Sequence, residues 1–203
     1  ESTWLSAETS SPSFQKISSR FDIHYCDQIV DMTDKPSMAL RRKQQSTMAL
    51  ALNSVATGDA HACVSCGNSG ALLALSRYKL STFIEIDRPA MARDIPTAGK
   101  SLLMLDLGAN IDVSADGLYQ FAILASAWRK AQGLKLPMLG LLNIGKEACK
   151  GTEEIRLAGQ LIADIDDIDY VGFVEADELY CGELDIVVCD GFHGNIALKT
   201  SEG

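Results

Sequence analysis

The residues with chemical potential gather in a few short stretches. "CGNSGALL" sets Gly67, Asn68, Ser69 and Gly70 just ahead of an apolar helical pattern. A helix start presents unpaired backbone N–H groups and the positive end of its dipole. Glycines let that backbone come close to an anion, and Asn68 and Ser69 add side-chain hydrogen bonds. The chemistry implied is a phosphate cradle. The competing reading is a capped turn with no ligand. Named phosphate motifs are absent: there is no G-x-x-x-x-G-K-[ST] and no G-x-G-x-x-G. "GNSGA" is G-x-S-G, one residue short of a nucleophile elbow, so Ser69 is not expected to act covalently. Cys63 and Cys66 form C-x-x-C without a second such pair, which reads as two small thiols and not as a metal site.

Arg88 precedes Pro89 in "IDRPAM", which holds it in an extended stretch. An arginine fixed there can grip an anion with two hydrogen bonds. Of the three histidines only His193 falls in a candidate site loop, where it can donate to an anion, work in acid–base chemistry or simply be solvated. "LRRKQQS" is the densest basic cluster, with Arg41, Arg42 and Lys43; such a run is ordinarily a solvated helix face.

Strands and helices must position these groups. Five segments repeat one pattern of an apolar run ending in small or polar residues: "HACVSCGNSG", "SLLMLDLGANID", "PMLGLLNIGKE", "DYVGFVEADEL" and "LDIVVCDGFHGN". Their ends carry Asn68, then Asp106 and Asn110, then Asn143 and Lys146, then Glu175 and Asp177, then Asp190, His193 and Asn195. Near-continuous apolar strands imply burial on both faces. Helical patterns over Leu118–Ala131 and Ile155–Ile165 lie between strands. The alternation predicts an α/β fold, a three-layer, mostly parallel sheet with helices on both faces. Ligands of such sheets bind beyond the carboxyl ends of the strands, where this chain concentrates Gly, Asn and Asp. "FDIHYCDQIV" reads as a short strand, and a helix is expected from "DKPS" to about Ala56. Residues 1–19 read as a Ser/Thr-rich tail or partial element, and 20–203 as one α/β catalytic domain that continues beyond both ends.

The chain has 203 residues, 47% hydrophobic, and a net charge of −9. The acidic balance argues against broad nucleic-acid binding. Six cysteines without a disulfide framework suggest reduced thiols and a cytoplasmic setting. No apolar run is long enough to cross a bilayer.

Six motifs in order, "PSMALRRKQQST", "CVSCGNSGAL", "IDRPAM", "LDLGANID", "LLNIGKEACKG" and "VVCDGFHGNIALKT", resemble the bacterial phosphate acyltransferase family, the PlsX-type enzymes of phospholipid synthesis. The resemblance implies transfer of a long-chain acyl group from acyl carrier protein to inorganic phosphate, giving acyl phosphate, with no cofactor. It implies a fold like that of phosphotransacetylases and isocitrate/isopropylmalate dehydrogenases. It also implies a homodimer at the inner face of the membrane, attached peripherally through segments this chain lacks. The departures are specific. "SCGNSGA" stands where the family commonly has "SAGNTGA", and His193 stands where Thr is usual.

On this reading Gly67, Asn68, Ser69 and Gly70 bind phosphate and Arg88 is the first charged partner. Asn110, Asn143 and Asn195 orient phosphate or the thioester carbonyl, and Lys150 and Lys199 are secondary candidates. Asp106 and Asp190 fix turns, and Arg41, Arg42 and Lys43 receive the acidic carrier protein. The alternatives are a short-chain phosphotransacetylase acting on acetyl-CoA, a nucleotide-binding dehydrogenase-like domain, and a non-catalytic anion-binding α/β domain.

Overall fold

The computed structural model of the protein describes Arg20 and residues 22–203. The expected tail over 1–19 lies outside the described residues. The chain divides into two compact units, one ending at Lys79 and the other spanning Leu80–Gly203.

The first unit is helical. Helix α1 spans Pro36–Arg42 and begins on a proline, whose missing N–H costs nothing at a first turn. Helix α2 spans Thr47–Ala56. The single helix expected up to Ala56 is broken between them because buried Ser46 caps α2, its hydroxyl accepting from Ala49 N at 3.3 Å. Gly58, at φ +83°, ends α2 as expected. Helix α3 spans Ser69–Leu80. Ala39, Met48, Ala49, Leu52, Ala71 and Leu75 form the core between the three helices.

Two expected strands do not form. Residues 61–66 pair with no strand among the described residues, and Val64 is 93% exposed. An apolar run reads as a buried strand only if a sheet lies beside it, and here helices supply the core instead. Among the described residues of "FDIHYCDQIV" only Gln28 forms a bridge, with Ser46.

The second unit is a five-stranded sheet in the order β1-β2-β5-β3-β4, formed by Ala92–Ile95, Leu102–Leu105, Met138–Leu142, Asp169–Val174 and Ile186–Val188 in chain order. β1 runs antiparallel to β2, and the other pairs are parallel. β1 was not legible in the sequence, since "ARDI" is short, polar and largely exposed at the sheet edge. Helices α4 (Ala115–Ala131), α5 (Glu153–Ala163) and α6 (Gly191–Glu202) connect or follow the strands, with a 3-10 turn at Ala176–Tyr180.

Alternation along the strands builds two cores. Leu103, Leu105, Leu139, Leu141, Ile186 and Val188 face Leu118, Phe121 and Ala125 of α4 and Ala158 and Ile162 of α5. Leu102, Met104 and Val187 face the other way, toward Leu179, Ala197 and Leu198. The result is the expected three-layer arrangement.

The amino edge of this sheet is closed by charge pairing. Buried Arg129 meets Asp94 at 2.7 Å and donates to the carbonyls of Asp185 and Ser101. Lys100 meets Asp185 at 2.7 Å. Among the described residues no helix is long and apolar enough to cross a membrane.

Candidate active site

The carboxyl edge ends in turns that are likewise held by buried polar side chains. Asp106, directly after β2, is fully buried. Its carboxylate accepts from the backbone N–H groups of Met91, Gly108, Ala109 and Asn110 and from Asn110 Nδ2, at 2.6–3.3 Å. Asn110 Nδ2 also donates to Pro89 O at 3.0 Å. These bonds stitch the "DRPAM" stretch to the "DLGAN" turn, so Arg88 stands, exposed, beside the end of β2. Arg88 makes no ion pair among the described residues.

The start of α6 packs on the same turn. A Cβ on Gly194 would stand 1.8 Å from Asp106 O, and one on Gly191 2.7 Å from Asn110 O. Only glycine fits either place. Asn195 is thereby brought over Gly108, whose added Cβ would lie 3.6 Å from the Asn195 amide oxygen. Asp190 caps α6, accepting from Phe192 N and His193 N, and its second oxygen lies 2.6 Å from His193 Nδ1. Cys189, next in line, is buried against Asp106 O, and burial pushes its thiol well above the ordinary range, which makes it inert.

Around β3 the arrangement is more local. Asn143 Nδ2 donates to Lys150 O and Oδ1 accepts from Ile144 N, so the amide closes its own loop. Lys150 is exposed and unpaired among the described residues. Lys199 sits two turns along α6 and pairs with Glu202 at 2.8 Å. Lys146 pairs with Glu178, whose carboxyl is held below its ordinary value by Glu175 N–H and then by Lys146.

A cleft of about 660 Å³ opens between the starts of α4, α5 and α6. It is lined by their capping residues Ser114, Thr152 and Asp190, with Glu154, Phe192 and His193. Three positive dipole ends face it. Glu154 answers one of them, accepting from Ala115 N at 2.5 Å. Thr152 was not singled out as a site residue. The signal for it was present, since Thr followed by two glutamates is a helix-start pattern.

In the first unit, the Gly67 turn opens α3. Asn68 Nδ2 donates to the carbonyls of Asp31, Met32 and Asp34, and its Oδ1 accepts from Ala71 N. Its side chain is thus committed to holding the loop. Ser69 is exposed, its hydroxyl making no hydrogen bond among the described residues. Lys43, expected at a docking surface, is instead drawn onto Asp31 and Asp34, at 3.1 and 2.5 Å. The Lys43 hydrogen bond lowers the Asp34 carboxyl, and Asp34 in turn raises the Lys43 ammonium. Arg41 and Arg42 remain exposed at the end of α1.

A parallel sheet with polar turns at its carboxyl edge defines a class of α/β ligand-binding proteins. Solved structures with this fold include a phosphotransacetylase from Streptococcus pyogenes (TM-score 0.63, 16% identity, 75% of this chain and 53% of that one). Another is the EutD phosphotransacetylase of Staphylococcus aureus (TM-score 0.60, 15% identity, 94% and 69%). The family described as "Fatty acid synthesis protein" matches residues 7–203, and the chain belongs to it. Relatives named phosphate acyltransferase are 50% identical over 187 residues in Halorhodospira halophila and 52% over 184 in Pseudomonas putida. These alignments take in 92% and 91% of this chain but 54% and 55% of the relatives. The chain therefore spans about half the length of the curated relatives it matches.

Proposed function

We propose that the full-length protein is a phosphate acyltransferase. It moves a long-chain acyl group from acyl carrier protein to inorganic phosphate, for phospholipid synthesis. An oxygen of phosphate attacks the thioester carbonyl and forms the new C–O bond. The C–S bond breaks and the electron pair leaves on sulfur. Phosphate is already anionic near neutral pH, so no serine nucleophile is needed.

The observation that carries this reading is the stitching of Pro89 and Met91, next to Arg88, to the β2 turn by Asn110 and Asp106. An exposed, unpaired arginine next to backbone held at a strand end suits phosphate and serves little purpose in packing. In the other unit, the free Ser69 hydroxyl and the opening N–H groups of α3 suit phosphate as well, with Asn68 holding the loop in shape. Asn195 is the amide proposed to orient a substrate at the β2 turn, Asn110 holds that turn with its donors spent on Pro89 O and Asp106, and Asn143 and Lys150 flank the β3 turn. Lys199, engaged with Glu202, is the least supported member. Arg41 and Arg42 are proposed to receive the acidic carrier. Homodimerisation and peripheral attachment at the inner membrane face follow from the resemblance alone.

Full-length protein assayed with phosphate and either a long-chain acyl carrier thioester or acetyl-CoA tests the reading. Phosphate-dependent thiol release from the long-chain donor is expected. Release from acetyl-CoA alone would make it a short-chain phosphotransacetylase.

A further inference from the structure

A fatty acyl group needs an apolar surface that opens beside the reacting carbonyl. Next to the 660 Å³ cleft lies a second one of about 610 Å³. The two share Thr152, Ile155 and His193, so they adjoin. Their linings differ sharply. The first carries three carboxylates, Asp112, Glu154 and Asp190, whereas the second carries one, Glu175, amid Leu142, Ile144, Leu179, Tyr180, Ile196 and Ala197. Ile144 is 76% exposed and Ile196 51% exposed, so apolar surface is left open to water at its mouth. Its size falls within the range of small-molecule sites, about 300–1,000 Å³. A further cleft, of about 410 Å³, runs along β1, β2 and α4, carries Arg93 and Asp94, and shares no lining residue with the other two.

We propose that the cleft between the β3 turn, the 3-10 turn and α6 is the acyl-chain subsite, with the thioester at the Thr152–His193 junction. The inference rests on the phosphate acyltransferase reading and extends it. The first cleft takes the reacting thioester and the amides of a carrier arm, and through Ile111 and Asp112 it adjoins the β2 turn, from which phosphate reaches the carbonyl. The apolar second cleft then receives the chain. Each methylene buried there strengthens binding about fourfold, so the cleft sets chain-length preference.

The test uses full-length protein and a series of acyl thioesters from four to sixteen carbons, with acyl phosphate as product. Ala176→Phe adds a ring at an exposed lining position. It is expected to lower the ratio of kcat/KM for sixteen over four carbons at least tenfold, leaving KM for phosphate within twofold. Ile144→Ser, also at an exposed position, is expected to lower the same ratio several-fold and serves alone should the first variant fail to fold. Unchanged ratios in active variants would overturn the subsite, as would equal losses at every chain length. Those results would mean that another segment or a second copy covers the cleft. A wild-type protein that makes no acyl phosphate at any chain length would overturn the reaction class itself, and the subsite with it.

Discussion

Arg88 and Ser69 are the side chains with most to offer an anion and least to do for the fold. If Ser69 donates to phosphate as proposed, Ser69→Ala removes one charge-assisted hydrogen bond, worth about 1.5–3 kcal/mol. A ten- to hundredfold fall in kcat/KM is expected, with thermal stability unchanged. Trapping of an acyl group on Ser69 would contradict the direct attack. Asn68 differs in kind. It makes four hydrogen bonds that shape the loop, so Asn68→Ala should lower stability as well as activity. The Asp31–Asp34 turn that it holds is expected to respond to pH through the Lys43–Asp34 pair. Asp34 has its folded-state value depressed by Lys43. Its contribution to stability is therefore present above the ordinary value of 3.8 and lost as pH falls through the lowered one. Amide exchange at Ala71 should accelerate over that acid window, and in Lys43→Met it should already be fast at neutral pH. Exchange that ignores both changes would show that the pair does not support the loop.

Among elements, the meeting of the β2 turn and α6 is the most tightly specified. Gly194→Ala puts a methyl into Asp106 O and Cys189 Sγ. Overpacking of this kind costs about 1–3 kcal/mol, visible as a lower denaturation midpoint. Asp106→Asn places an amide donor among five existing donors and should release the Arg88–Met91 stretch, losing phosphate affinity along with stability. Much of this region was legible in the sequence. "LDLGAN" and "VVCDGFHGN" read as strand ends because apolar runs stop abruptly at Asp and Gly, and Asp106 and Asp190 read as turn-fixing residues. The expected strand at 61–66 was not a strand, because an apolar run does not reveal whether a sheet lies beside it. Lys43 was legible only as charge, since its partners Asp31 and Asp34 are brought to it by a turn. Thr152 and His193 matter through the clefts that they join, which no spacing along the chain reveals.

For the whole molecule, the difficulty is electrostatic. A chain of net charge −9 is read here as receiving an acidic carrier protein. Exposed Arg41 and Arg42 offer a local exception, while Lys43 is neutralised by its own neighbours. Reversing both arginines to Glu in the full-length protein should raise KM for the carrier substrate, more at low salt than at high. KM for phosphate should stay unchanged. An unmoved carrier KM would place docking elsewhere. The central claim, transfer of an acyl group to phosphate, is tested most directly by mixing the full-length protein with palmitoyl acyl carrier protein and phosphate and trapping the product with hydroxylamine. Palmitoyl hydroxamate that depends on phosphate and falls steeply in Arg88→Gln is expected. Folded protein that yields no hydroxamate, or yields it equally without phosphate, would contradict it.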